Sequence, residues 1–338
     1  MKTSLVDRDS AERLLLFVGA IRSGLIDALV AGDALAAGDA LSADQVAHAA
    51  QTDPRASRIV LEALAAEGVV ERVSREDEGA LYRLSALGRA HLVDEGPEFE
   101  RFGLLHQVNK LRGWLELPEV IRTGRPAPRD PATRDMRSFA SAMGERDSAV
   151  LDEVLERCLA YSGPIRTMLD VGGAVGHVAR HFSRCGVRAT MLDREDVIPL
   201  AAEFLGSEAA AIRLVGGDYT VSLPGGPFDL VYFGNVYHIY GHETNAHATR
   251  IAFGALSPGG TIAIQDLVWG RGRRAALFAV NMLQATEAGG VWTEAQYREW
   301  LADAGFVGIE MLDLETIGSQ LILGKRPRGL RSSGSGQV

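Results

Sequence analysis

The chain has 338 residues, 46% hydrophobic and 23% charged, an ordinary globular composition with room for two domains. No apolar run approaches the ~20 residues needed to cross a bilayer, and the opening M-K-T-S-L-V-D-R-D-S lacks the apolar core of a secretion signal. A net charge of −9 argues against nucleic acid as a partner, and Cys158 and Cys185 supply neither a disulfide framework nor a paired metal spacing, so a cytoplasmic protein with no membrane partner is expected.

Leu14, Leu15, Val18, Ile21, Leu25, Ile26 and Leu29 fall along one side of a helical repeat over residues 10–35. Ser42 is placed to cap a short helix, A-D-Q-V-A-H-A-A, and a second helix is predicted from Asp53 to Glu67. Then G-V-V-E-R-V, a polar turn with Asp77 and Gly79, and A-L-Y-R-L-S predict strand, turn and strand. Helices followed by a small hairpin make a winged-helix pattern. Its wing, S-R-E-D-E-G, is acidic, and its second helix carries Asp53, Glu62 and Glu67 beside two arginines. Phosphate contacts need clustered basic residues, so a packing or dimerisation module is favoured over DNA binding.

Residues 96–160 read as helical with a break from Gly124 to Pro131. One helix, L-R-G-W-L-E-L-P-E-V-I-R-T, ends at Gly124; Phe139, Met143, Val150, Leu151 and Val154 form the apolar side of the next. Trp114, His106 and Met143 are candidates for a pocket wall, with plain core packing the alternative. From Arg166 the period changes. Strands T-M-L-D-V, R-A-T-M-L-D, I-R-L-V-G-G-D and F-D-L-V-Y-F-G-N alternate with helices H-V-A-R-H-F-S-R-C, V-I-P-L-A-A-E-F-L and A-H-A-T-R-I-A-F-G-A-L, and a turn S-P-G-G precedes strand T-I-A-I-Q-D. This alternation predicts an α/β fold, a parallel sheet with helices on both faces and ligands at the carboxyl ends of its strands.

The chemistry converges on those ends. Gly172, Gly173 and Gly176 in D-V-G-G-A-V-G let the backbone turn sharply with a ligand close against it. The helix that follows offers its first N–H groups. Asp193 closes the second strand, where a carboxylate can accept from two ribose hydroxyls. Asp218 closes the third, where it can meet an adenine amino group, with Tyr219 beside the ring. The turn is not G-x-G-x-x-G and no G-K-[ST] follows. An adenosine cofactor without a pyrophosphate is indicated, and S-adenosylmethionine fits best. Past the fourth strand lies N-V-Y-H-I-Y-G-H-E, residues 235–243, where a neutral His238 can accept a proton from a substrate hydroxyl. A capping or structural histidine is the alternative. His238 and His242 stand four apart, a possible metal pair that lacks an assigned third ligand; no metal is expected.

Taken together, these segments resemble the cation-independent, plant-type small-molecule O-methyltransferase family of bacterial natural-product pathways. The likeness covers roughly residues 10–326 and includes L-x-E-V-I-R-T-G-R-P, F-A-S-A-M-G, L-D-R-E-D-V, G-D-Y, L-S-P-G-G-T-I-A-I-Q-D and W-L-A-D-A-G-F. It implies a Rossmann-like class I methyltransferase domain (161–326) behind a winged-helix dimerisation domain (1–95). A helical connector (96–160) would line the acceptor pocket, and a polar tail (327–338) would be disordered. It also implies S-adenosyl-L-methionine held by Gly172, Asp193, Asp218, Tyr219 and Asn235, with S-adenosyl-L-homocysteine as product. His238 would be general base, oriented by Asp266, with an acceptor pocket drawn from Trp114, Met143, Asn281, Met282 and Trp292, in a homodimer. The sequence departs from the family pattern at several points. Ala174 replaces a third glycine, tolerable if its φ is negative. Ile239 and Tyr240 follow the histidine in place of an acid and a Trp, and Gly234 stands where plant members carry Lys. Val291 and Trp292 replace an acid and an Arg, so the second flanking acid is missing unless Glu287 substitutes. The expected reaction is O-methylation of a hydroxylated aromatic. The alternatives are C- or N-methylation, or a non-methylating relative that uses the cofactor structurally.

Overall fold

A computed structural model describes residues 8–35, 40–75, 79–93, 98–126 and 148–328. The chain divides into two compact units, residues 1–111 and 112–338.

In the first unit the amphipathic repeat is split into α1 (Arg8–Arg22) and α2 (Leu25–Leu35), with Gly24 at φ +79° between them. A two-residue β1 (Leu41–Ser42) leads into α3 (Ala43–Ala50), and Ser42 and Gln45 form the reciprocal capping box in which each side chain accepts from the other's backbone N–H. Asp53 caps α4 (Pro54–Ala66) through the Ala56 N–H. The hairpin β2 (Val70–Arg75) and β3 (Gly79–Leu84) pairs antiparallel, and β1 adds to β3 in the order β1-β3-β2. Then come α5 (Ala86–Leu92) and α6 (Arg101–Leu115), whose last turn crosses into the second unit. Val18, Ile26, Leu29, Val46, Leu61, Leu64 and Tyr82 make the core. On the helix and wing face, Arg58 pairs with Asp44 and Arg72 with Glu62.

In the second unit, α7 (Leu117–Thr123) ends at Gly124 in the left-handed conformation, φ +65°. The predicted single helix from Leu111 is broken at Glu116, because Pro118 has no N–H to donate to the Trp114 carbonyl four residues back. Phe139 and Met143 lie outside the described residues, as does the tail beyond Arg328. After α8 (Ser148–Ser162) come β4 (Thr167–Val171), α9 (His177–Arg184), β5 (Arg188–Asp193), α10 (Ile198–Leu205), β6 (Arg213–Gly216) and β7 (Phe228–Gly234). Next are α11 (His242–Ala255), β8 (Leu256–Asp266), α12 (Arg273–Ala285), α13 (Glu294–Ala304), β9 (Val307–Asp313) and β10 (Gln320–Lys325).

The sheet order is β6-β5-β4-β7-β8-β10-β9. The first five strands are parallel, but β10 runs antiparallel to both β8 and β9, so the sheet is mixed rather than all-parallel. The link 314–319 is too short for the crossover that a parallel pair needs. The predicted S-P-G-G turn is also absorbed: α11 runs directly into β8, and residues 257–260 form an irregularity between the Phe228–Leu256 and Leu230–Thr261 pairs.

Alternation along each strand divides the core in two. Met168, Leu230, Tyr232 and Ala263 face α8, α9 and α10, while Leu169, Val171, Val231, Phe233, Ile262 and Ile264 face α11 and α13. Trp300, Tyr297 and Leu301 of α13 are fully buried there, each adding about 1.5–3 kcal/mol of apolar burial. Among the described residues no single helix is long and apolar enough to cross a membrane.

Candidate active site

The carboxyl ends of β4, β5, β7 and β8 carry the site. Gly172 follows β4 at φ +70°, and a Cβ there would come within 2.7 Å of Val236 Cγ2. The glycine turn therefore touches the segment that leads into His238. A Cβ on Gly173 would lie 2.5 Å from Met191 Cγ, so the strand end stays bare backbone. Ala174 corrects the expectation of a negative φ: it sits at +52°, in the left-handed region, at a cost of about 1–2 kcal/mol to a residue with a Cβ. That geometry aims its N–H at Asp193 Oδ2, 2.8 Å away.

Asp193 is buried at the end of β5 and also accepts from the Arg194 N–H at 2.7 Å. Burial pushes its carboxyl up from the usual range, opposed by these two amide donors. Asp218 is exposed, two residues past β6, where Oδ1 accepts from the Thr220 N–H and hydroxyl at 2.8 and 2.6 Å. Tyr219 is buried beside it, its hydroxyl accepting from Tyr240 at 3.2 Å with the rings edge-on. Burial pushes both phenols up, and the Asp193 and Asp218 carboxylates add to it, so both remain neutral donors at this end of the site. Asn235 is left-handed too, φ +59°, its N–H bonded to Gln265 O at 2.8 Å. On the first turn of α9, the Ala179 N–H is taken by Asp170 rather than left for a ligand.

His238 lies in a 3₁₀ turn, Tyr237–Ile239, and is 8% exposed. Its Nδ1 is 2.8 Å from Asp266 Oδ1, and its backbone N–H donates to Oδ2 at 3.0 Å. Asp266, the last residue of β8, is fully buried and accepts a third bond from the Leu267 N–H at 2.8 Å. A carboxylate only accepts, so in the neutral imidazole the proton sits on Nδ1 and Nε2 keeps its lone pair. The Phe278 ring of α12 packs edge-on to the imidazole, 4.8 Å between centroids.

The turn is clamped from behind. Asn245 Nδ2 donates to Tyr237 O and Tyr240 O at 2.9 and 3.2 Å, and the Gly290 N–H donates to His238 O at 2.9 Å. Trp292 is part of this clamp: its Nε1–H donates to Tyr237 O at 2.9 Å and its ring packs on Trp300. Expected from the sequence in the acceptor pocket, it is half-buried and is seen supporting the histidine turn. His242 Nδ1 accepts from Trp300 Nε1, so the two histidines four apart have different partners. Among the described residues no cluster of three or more His, Cys, Asp or Glu is arranged to hold a metal. Val291 is buried, and Glu287 is exposed with no hydrogen bond or ion pair among the described residues. Gly234 also has a physical reason: a Cβ there would meet the Tyr232 ring at 2.8 Å.

On the acceptor side, Trp114 Nε1 donates to Asn281 Oδ1 at 3.2 Å, and Gln284 Nε2 donates to the same oxygen at 3.0 Å. Asn281 stands about one turn from Phe278 on the same face of α12. Met282 is buried, and Met143 lies outside the described residues. Phe278 and Val236 carried no sequence signal, because each acts through a contact distant in the chain; Asn245 reaches back only to the neighbouring Tyr237 and Tyr240 carbonyls.

A family profile for an O-methyltransferase domain matches residues 127–307, and one for an O-methyltransferase dimerisation domain matches residues 16–94. The chain is 30% identical over 296 residues to the tetracenomycin polyketide synthesis 8-O-methyl transferase TcmO of Streptomyces glaucescens, covering 81% of this chain and 84% of that one. It is 28% identical over 305 residues to 3-hydroxy-5-methyl-1-naphthoate 3-O-methyltransferase of Streptomyces sahachiroi, covering 85% and 84%. The crystal structure of human N-acetylserotonin methyltransferase in complex with SAM shares the fold, with a TM-score of 0.76 at 22% identity over 96% of this chain and 100% of that one. The chain thus has the class I methyltransferase fold and belongs to the S-adenosylmethionine-dependent O-methyltransferase family.

Proposed function

We propose that this enzyme methylates a hydroxyl group on an aromatic small molecule of secondary metabolism, with His238 as general base. The observation that carries the reading is the buried His238–Asp266 pair, held at 2.8 Å with Nε2 left as the acceptor. A phenol of pKa ~10 is ionised only about once in a thousand at pH 7, so a base that takes its proton removes most of that deficit. Asp266 fixes the tautomer and stabilises the imidazolium as it forms.

The residues present fit an adenosine cofactor. A Cβ at Gly172 or Gly173 would overlap Val236 or Met191, so the turn offers bare backbone to a ligand, and the Tyr219 ring and the Asp193 carboxylate, bonded to the Ala174 N–H, lie beside it. Gly172, Asp193, Asp218, Tyr219 and Asn235 are assigned to hold S-adenosylmethionine, which when bound supplies an activated methyl group on sulfonium. The protein then contributes alignment and exclusion of water. Trp114, Asn281 and Met282 are assigned to the acceptor side, and Met143 keeps its assignment from the sequence alone. The dimerisation profile over residues 16–94 supports a homodimer, and its acidic hairpin favours protein contact over nucleic acid.

The test is S-adenosylhomocysteine release with a panel of hydroxylated polyketide aromatics, followed by product NMR. O-methylated product, with a roughly 10³-fold loss of turnover in His238→Gln and unchanged S-adenosylhomocysteine affinity, supports the reading. Product methylated on carbon or nitrogen, or a variant that keeps its turnover, overturns it.

A further inference from the structure

Tyr297, on the first turn of α13, is fully buried, and among the described residues its hydroxyl makes no hydrogen bond. Buried phenols almost always find a partner, so an open one calls for a cause. The rings of Tyr237 and Trp300 enclose it at 5.9 and 5.4 Å. The carboxylate beside it is Asp266; burial first, then that charge, the Tyr237 phenol and the pull of the same carboxylate on the hydroxyl proton hold Tyr297 protonated far above the ordinary tyrosine range. Asp266 has a matching vacancy. A carboxylate offers about four acceptor positions, and three are filled by His238 Nδ1–H, the His238 N–H and the Leu267 N–H.

We propose that Tyr297 is a positioning residue whose hydroxyl donates to the open position on Asp266 and thereby sets the basicity of His238. The proposal rests on the reading of His238 as the base. A carboxylate that accepts a fourth hydrogen bond has less charge to offer an imidazolium, so His238 stays neutral, the form that can take a proton, to lower pH. No second carboxylate from the loop before α13 is needed for this: the second site there is Val291, and the donor arrives from the helix behind it.

The other polar groups around the pair are accounted for. Tyr237, in the same turn, shares a hydrogen bond with Thr249 of α11 at 2.9 Å. His242, at the start of α11, is held by Trp300. From α12 the imidazole meets the Phe278 ring, and Glu287, in the loop after α12, is exposed. At the start of the same helix, Glu294 pairs with Arg271 and Arg298 at the surface.

The experiment is histidine-labelled NMR titration of the full-length, ligand-free protein, with His238→Gln to assign the resonance. Tyr297→Phe removes one oxygen and keeps the ring, and a melting temperature at or above wild type verifies its fold. The expected result is a His238 titration raised by about half a unit or more in Tyr297→Phe. In an Asp266→Asn background the same substitution should leave the titration unmoved. Superimposable titrations of wild type and Tyr297→Phe, including no titration in either, overturn the proposal; so does a shift that persists in the Asp266→Asn background. Retained turnover in His238→Gln would defeat the base assignment separately, since the titration needs no acceptor.

Discussion

Replacing Asp266 by Asn tests the centre of the site, because it removes one charge and one acceptor at nearly constant shape. The carboxylate serves three donors, at 2.8, 3.0 and 2.8 Å. An amide has one accepting oxygen. Placed at the Oδ1 position, it keeps His238 Nδ1–H and the Leu267 N–H and turns its NH₂ against the His238 N–H. Placed at the other position, it abandons two donors. Either way at least one buried N–H loses its partner, at about 1–3 kcal/mol, and the surviving bonds lose their charge assistance, about 1 kcal/mol more. The Tyr297 hydroxyl can accept from the new amide, which offsets part of this. The expected loss is about 2–4 kcal/mol in urea unfolding. Turnover should fall further, since the imidazole is now free to carry its proton on Nε2, where it cannot act as a base. The same exchange in a serine-protease triad costs about 10⁴, and about 10² to 10⁴ is expected here. Calorimetric titration with S-adenosylhomocysteine should stay within about twofold of wild type, because the groups at Asp193 and Tyr219 share no partner with Asp266. A dissociation constant that rises in step with the loss of turnover would refute the separation of cofactor site and base, and unchanged turnover would refute the role of the pair.

Gly172→Ala should do the opposite. A left-handed φ of +70° and a Cβ 2.7 Å from Val236 Cγ2 combine about 1–2 kcal/mol of backbone strain with an overlap that pushes on the His238 segment. S-adenosylhomocysteine affinity measured by calorimetry should drop at least tenfold; retained affinity would mean that the cofactor does not lie against this turn. His106 on α6 makes a pH prediction. Burial first, then the Lys110 charge, pulls its imidazole down to about 4. The unfolded chain therefore binds this proton more readily, and stability is lost as pH falls from about 6.5 towards 4. Solvent screening at a half-buried group keeps the effect to about 1 kcal/mol. Thermal melts from pH 7 to 4 should show this part of the decline missing in His106→Gln, and parallel curves would count against it.

Much of the second unit was legible in the sequence because its signals are local. Apolar runs of strand length ending in D-V-G-G, L-D and G-D place Gly172, Asp193 and Asp218 at successive strand ends whatever the distant contacts, and in the same way the cap at Ser42 and the helix end at Gly124 follow from side-chain and backbone chemistry within a few residues. The same locality explains the errors. A sequence pattern fixes that β10 is a strand, but its antiparallel insertion between β8 and β9 follows from the short link that precedes it and from which edge of the sheet is free. S-P-G-G reads as a turn because proline and glycines punctuate the chain, and it survives only as an irregularity inside β8, with Gly259 at φ +87° between the Phe228–Leu256 and Leu230–Thr261 pairs.

The sequence by itself determined the order of elements, the glycine turn, the acidic strand ends and the presence of a histidine after β7. Tertiary structure alone decided what that histidine is. His238 and Asp266 are separated by a helix and a strand, and only the parallel register of β7 on β8 sets them 2.8 Å apart. It also set the Trp292 indole as a clamp on the Tyr237 carbonyl, and it set Ala174 in the left-handed region, where its N–H meets Asp193. Backbone preferences act within a few residues and can be read along the chain. A buried hydrogen bond between distant residues exists only once the fold has excluded water from around both of them.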